Sequence, residues 1–140
     1  MKIEKKILED IINKMPDKPP EVGGILGGKD NIVSQYHLDL SSSNGGCYYS
    51  PNVQMLNEVI RNWSVKKIDF LGLFHTHFWG VSTLSDGDIE YITRIMQAMP
   101  KHIKQLFFPI IVIPDRMMVS YVAVRDENKI NIINDDLIIV

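Results

Sequence analysis

The stretch from Lys67 to Met99 constrains the fold more than any other part of the chain. It opens on IDFLGLF, a continuous apolar run of strand length, and passes without a break into HTHFWGVSTLSDGD, residues 75 to 88. It closes on DIEYITRIMQAM, where Ile89, Ile92, Met96 and Met99 recur at helical spacing ahead of Pro100. The first run reads as a buried strand and the last as an amphipathic helix ended by proline. Side chains at i and i+2 of a strand leave the same face. His75 and His77 therefore aim at one point just past the end of the strand.

Two neutral imidazoles directed at one point are half of a zinc site. A catalytic zinc takes three protein ligands and keeps a fourth position open. Asp88 is the best-placed third ligand, because it falls in the first turn of the following helix. Asp86 is also near but leaves that turn on another side. Structural readings compete with this one. An isolated H-x-H pair occurs at exposed strand ends. Ser85-x-x-Asp88 ahead of an apolar run is also a capping box, with Ser85 as N-cap. The capping use of Asp88 and its use as a ligand are expected to exclude each other. The full pattern, H-x-H-x7-S-x2-D, fixes four residue types at fixed offsets, which neither structural reading explains as a whole.

The remaining segments supply an α+β frame. Ile3, Ile7, Leu8, Ile11, Ile12 and Met15 share one helical face, and Pro16, Pro19 and Pro20 end that helix. EVGGILGG and NIVSQYHLDL read as a hairpin. SSSNGGCYYSPN is a polar, glycine-containing loop. A second helix is expected over SPNVQMLNEVIRNW, with Ser50 as cap, Pro51 in first position, and Val53, Leu56, Ile60 and Trp63 on one face. QLFFPIIVIP and MVSYVAV read as antiparallel neighbours, and KINIINDDLIIV as one further strand or two very short ones. The expected architecture is a three-layer α/β/α arrangement. A mixed, mostly antiparallel sheet lies between helices, all within a single domain over residues 1–140.

Charge and cysteine usage narrow the function classes. A net charge of −2, with no basic run longer than two residues, gives no nucleic-acid footprint and no general attraction to anionic membrane. No apolar run is long enough to span a bilayer. The single cysteine, Cys47, has no partner for an internal disulfide, which points to a reducing, cytoplasmic setting. His37 is expected on an exposed strand face and His102 in a loop, neither as a ligand. Trp79 falls in the loop beside the histidines, where it either packs into the core or covers the substrate.

With those residues in view, the chain resembles the JAMM, or MPN-plus, zinc metalloprotease domain. That family is similar to a glutamate, a long gap, and then H-x-H-x7-S-x2-D. This chain offers Glu21, then His75, His77, Ser85 and Asp88, and EVGGILGG resembles the family's E-x-x-G-x-L-x-G run. The resemblance covers nearly the whole chain and implies an MPN/JAB-like fold. It implies that His75, His77 and Asp88 bind Zn2+, that Glu21 hydrogen-bonds the zinc-bound water, and that Ser85 steadies the oxyanion. It further implies a stand-alone prokaryotic type of enzyme that cleaves peptide or isopeptide bonds, removing or processing the tail of a ubiquitin-like or sulfur-carrier protein. The alternative is a non-catalytic MPN-type interaction module, which needs neither the ligand set nor Glu21. A structural zinc domain would want a fourth ligand. Phe78 and Leu84 stand where many members have proline. The chain lacks the second zinc-binding insertion found in some polyubiquitin-cleaving members. Residues 41 to 50, with Tyr48 and Tyr49, correspond in position to the family's first substrate-contacting insertion and are expected to line the groove for the tail.

Overall fold

The computed structural model describes residues 1–39 and 49–140, so Cys47, Tyr48 and most of the expected tail groove lie outside the described residues. In chain order the elements are β1 (Lys2–Ile3), α1 (Lys5–Lys14), β2 (Gly23–Lys29), β3 (Ile32–Asp39), α2 (Val53–Val65) and β4 (Asp69–His77). They continue with α3 (Asp86–Ala98), β5 (Gln105–Phe107), β6 (Ile110–Val112), β7 (Met117–Asp126), β8 (Lys129–Asp135) and β9 (Ile138–Ile139). Across the sheet the order is β8, β7, then β5 and β6 end to end, then β4, β2, β3, β1 and β9. β1 runs parallel to β3 and β9, and β4 parallel to β5 and β6. The other pairings are antiparallel.

Both sheet faces are covered, which gives the three-layer α/β/α architecture. Leu8, Ile11 and Met15, from α1 and its C-cap, pack with Leu26, Val33, Phe74 and Ile111 on one face. Leu56 and Trp63 of α2 and Ile92 and Met96 of α3 pack with Ile25, Leu73, Leu106 and Phe108 on the other. Alternation along a strand assigns each residue to a face, and one extra residue reverses the assignment. β4 contains such a residue. Leu26 pairs with Gly72 but Gly27 pairs with Phe70, so Leu71 is bulged. Phe70 and Leu73 consequently both pack on the α2/α3 face, while Leu71 and Phe74 pack on the α1 face. Without the bulge, His75 and His77 would point at α1.

Gly72 makes the bulge possible. Its φ is +153°, and a Cβ there would lie 1.8 Å from the Phe107 carbonyl oxygen. The nearest atoms are all Phe107 backbone, so no flexible atom can yield. Gly72→Ala is expected to cost about 3 kcal/mol of stability, at the upper end of ordinary overpacking. A denaturant midpoint equal to that of the unaltered chain would show that β4 does not depend on this approach.

Several boundaries differ from the sequence expectation. Ile3 belongs to β1, paired with Val33, because the chain is extended at Glu4 before α1 starts. α2 is capped by Asn52, whose Oδ1 accepts from the Met55 N–H at 3.2 Å, so Ser50 and Pro51 precede the helix. Val53 then lies 64% exposed rather than on the packed face. The β2–β3 turn is Asp30–Asn31, both at positive φ, as two-residue hairpin loops require. Pro109, without an N–H for the ladder, separates β5 from β6 within QLFFPIIVIP. No helix among the described residues is long and apolar enough to cross a membrane.

Candidate metal centre

β4 is central in the sheet, and its C-terminal end delivers the two histidines. His75 pairs with Gly23 of β2 on one side and Ile110 of β6 on the other. The Ile113 N–H donates to the His77 carbonyl at 2.8 Å and fixes the last residue of the strand. α3 then folds back over the same face, and its first turn carries Asp88. Ser85 caps α3 as expected: its Oγ accepts from the Asp88 N–H at 3.1 Å, and its own N–H donates to Asp88 Oδ2 at 2.9 Å.

That capping box corrects one expectation. Capping and convergence on the histidines do not exclude each other. Asp88 Oδ2 serves the Ser85 N–H and also lies 2.9 Å from His77 Nε2, while Oδ1 lies 3.1 Å from His75 Nε2. A carboxylate has two oxygens and about four acceptor sites, enough for both uses. The cap thus holds the carboxylate at the cluster rather than away from it.

His75, His77 and Asp88 form a group whose ligand atoms all lie within 4.8 Å of one another. His75 Nε2 and His77 Nε2 are 2.9 Å apart. Protons cannot satisfy all three contacts. If both Nε2 atoms carry hydrogen, they repel each other; if only one does, the other turns a lone pair toward the carboxylate. A cation among them satisfies all three. Tetrahedral zinc at about 2.0–2.1 Å from each donor needs donor atoms roughly 3.3 Å apart, so separations of a few tenths of an ångström less fit with small side-chain adjustment. Two imidazoles and one carboxylate are also the donor set of open, three-ligand zinc sites.

The electrostatics show how strongly the three groups interact. Burial opposes charge on Asp88, but the contacts of His75 and His77, the charge of His75 and the Ser85 N–H outweigh it and hold its carboxyl well below the usual carboxylate range. Burial likewise pushes the His77 imidazole down, yet Asp88 and the charge of Glu21 together raise it above its ordinary value. The Val81 backbone also bears on this ring, but no group meets hydrogen-bond geometry at the buried Nδ1.

Glu21 lies just before β2, half-buried. Thr76, between the two histidines, fastens it there: the Thr76 N–H donates to the Val22 carbonyl at 2.8 Å, and the Val22 N–H donates to Thr76 Oγ1 at 3.0 Å. The Tyr49 N–H donates to Glu21 Oε2 at 2.9 Å. Gly23 lets this crowding occur, because a Cβ there would stand 2.4 Å from the Phe74 carbonyl oxygen and 2.7 Å from the Tyr49 ring. Gly23 therefore marks a close backbone approach beside the site.

Other candidates fall into place. Tyr49 is 6% exposed, donates its hydroxyl to buried Asp39 and stacks on His75, so it forms a wall of the site. Trp79 is 78% exposed and is not a core residue. His37 and His102 are exposed and outside the cluster. Phe78 is buried among the α1-face residues and Leu84 packs against the α2/α3 face, so the two departures from proline are absorbed by packing. Tyr91 was not singled out from sequence. Its hydroxyl is 3.3 Å from His75 Nδ1 and its ring meets His75 edge-on. The signal was its position three residues after Asp88, on the same helical face.

No protein-family model matches the chain, and no curated protein matches it. Solved structures do. A protein from Desulfitobacterium hafniense, determined in solution, superposes with a TM-score of 0.68 at 19% identity, over 99% of this chain and 92% of that one. A JAB1/MPN domain protein from Archaeoglobus fulgidus superposes with a TM-score of 0.60 at 17% identity, over 100% of this chain and 99% of that one. The chain has the JAB1/MPN fold.

Proposed function

We propose that this chain is a JAMM-type zinc hydrolase of peptide or isopeptide bonds that processes the tail of a ubiquitin-like or sulfur-carrier protein. The observation carrying this reading is the convergence of His75, His77 and Asp88 beside a glutamate held by separate backbone bonds. A non-catalytic module requires neither part. A closed structural site would need a fourth ligand, and none joins the cluster among the described residues. The lone cysteine supports a cytoplasmic setting.

His75, His77 and Asp88 would hold the zinc, which when bound lowers the pKa of water to about 7 and polarises a carbonyl. Glu21 has one oxygen engaged by Tyr49 and the other available for a proton. It accepts a proton from the attacking water as the oxygen–carbon bond forms, and returns it to the departing amine nitrogen as the carbon–nitrogen bond breaks. Ser85 Oγ accepts one bond from the Asp88 N–H and retains its own hydrogen to donate to the developing oxyanion.

Zinc titration of the purified chain tests the metal reading directly. One zinc per chain is expected. Affinity should fall as pH drops below neutrality, because both imidazoles must be unprotonated to bind and the raised His77 resists losing its proton. No saturable uptake, or an affinity flat from pH 8 to 5, would remove the ligand assignment. Hydrolysis of a lysine-linked ubiquitin-like tail then tests the substrate class.

A further inference from the structure

We infer that Tyr91 is the positioning residue for His75: its hydroxyl accepts the His75 Nδ1–H and so keeps the Nε2 lone pair directed into the cluster. The inference rests on the metal reading above and concerns a group outside the proposed ligand and proton-transfer set.

The two histidines are held differently. His75 is confined on three sides. Tyr49 stacks on one face at 6.1 Å between ring centroids and 15° between planes. Tyr91 meets the ring at 5.9 Å and 76°, and its hydroxyl lies 3.3 Å from Nδ1. On the third side, Nε2 faces Asp88 and His77. His77 has contacts at Nε2, but its buried Nδ1 has no hydrogen-bond partner. A ligating imidazole normally gives its second N–H to an outer group, which fixes both tautomer and orientation. Among the described residues a side chain takes that place only at His75; at His77 the Val81 backbone bears on the ring without meeting hydrogen-bond geometry at Nδ1.

The direction of the bond follows from the tautomer. If the phenol donated to Nδ1, the hydrogen of neutral His75 would sit on Nε2 and block ligation. With Nδ1–H donating, the phenol oxygen accepts and Nε2 is free. Tyr91 is itself fixed, because its ring packs edge-on against Phe108 at 6.2 Å, in the core under α3. Tyr91 also lines a cavity of about 470 Å³ between α2 and α3, bounded by Leu56, Ile60, Leu73 and Ile95.

Tyr91→Phe isolates the hydroxyl, since the ring contacts with His75 and Phe108 survive. The first measurement uses metal-free protein and imidazole nitrogen-15 NMR. The Nδ1–H fraction of His75 should be higher in the unaltered chain than in Tyr91→Phe, with His37 and His102 as unchanged references. The second is zinc affinity by chelator competition, expected to fall about 10- to 100-fold at unchanged stoichiometry, with the metal-free thermal midpoint reporting that the fold is kept. Identical His75 resonances in the two proteins would overturn the inference. So would a zinc affinity within twofold of the unaltered chain. If the unaltered chain took up no zinc, the proposed function would fail, and the NMR comparison would still decide whether Tyr91 sets the His75 tautomer.

Discussion

His77→Ala is expected to yield a folded chain that no longer binds zinc tightly. The fold does not lean on the imidazole. His77 ends β4, its ladder contact to Ile113 is made by the backbone carbonyl, and the apolar cores on both sheet faces are built from other residues. Asp88 keeps its place through the Ser85 cap, so the variant loses one donor without losing the others. Four-ligand structural sites bind zinc with about 10–16 kcal/mol. One donor is then worth roughly 3 kcal/mol, or about a hundredfold in affinity. Metal analysis after dialysis against a competing chelator reads the loss. Thermal melts give an independent check, because zinc should raise the midpoint of the unaltered chain but not of the variant. Full occupancy in His77→Ala would mean that the cluster is not the metal site.

The sequence carried the frame and the convergence for identifiable reasons. Periodicity marks α1 and α3 plainly, and the alternation rule put His75 and His77 on one face. It could not say which face. That depends on Leu71 bulging out of the β2–β4 ladder, and a bulge is a property of two strands rather than one. Asn52 and Ser50 are both good caps, and local chemistry alone does not choose between them; the tertiary path of the chain into α2 does. Pro109 was visible, but the break it makes between β5 and β6 matters only because β4 and β7 lie on either side. Asp88 caps α3 and faces both histidines at once because a carboxylate has two oxygens and about four acceptor sites, which a one-dimensional pattern does not apportion. Tyr49 reaches His75 from a separate segment, which no local pattern marks, and Tyr91, three residues after Asp88 on one helical face, reads as an ordinary helix residue until the cluster is in view.

Glu21→Gln should separate chemistry from metal binding more cleanly than any ligand change. The substitution keeps the length and shape of the side chain. Its amide oxygen still accepts the Tyr49 N–H, so the Val22–Thr76 attachment beside the histidines is undisturbed. What disappears is the negative charge and the ability to take a proton. Zinc should remain bound at one per chain, since Glu21 is not among the converging donors. Zinc affinity should also become less sensitive to acid, because the Glu21 charge contributes to the raised His77. A less basic His77 gives up its proton more readily, so the metal competes at lower pH. Hydrolysis of a ubiquitin-like tail should fall by at least about 100-fold in kcat, the loss typical of removing a general acid–base group, with KM little changed. The pairing of full zinc occupancy with lost turnover is the diagnostic result. A structural glutamate would give unchanged kcat, and a misfolded loop would lower zinc content and thermal midpoint together. If kcat stayed near that of the unaltered chain with zinc bound, another residue would have to move the proton, and the role given to Glu21 would fall while the metal centre stood.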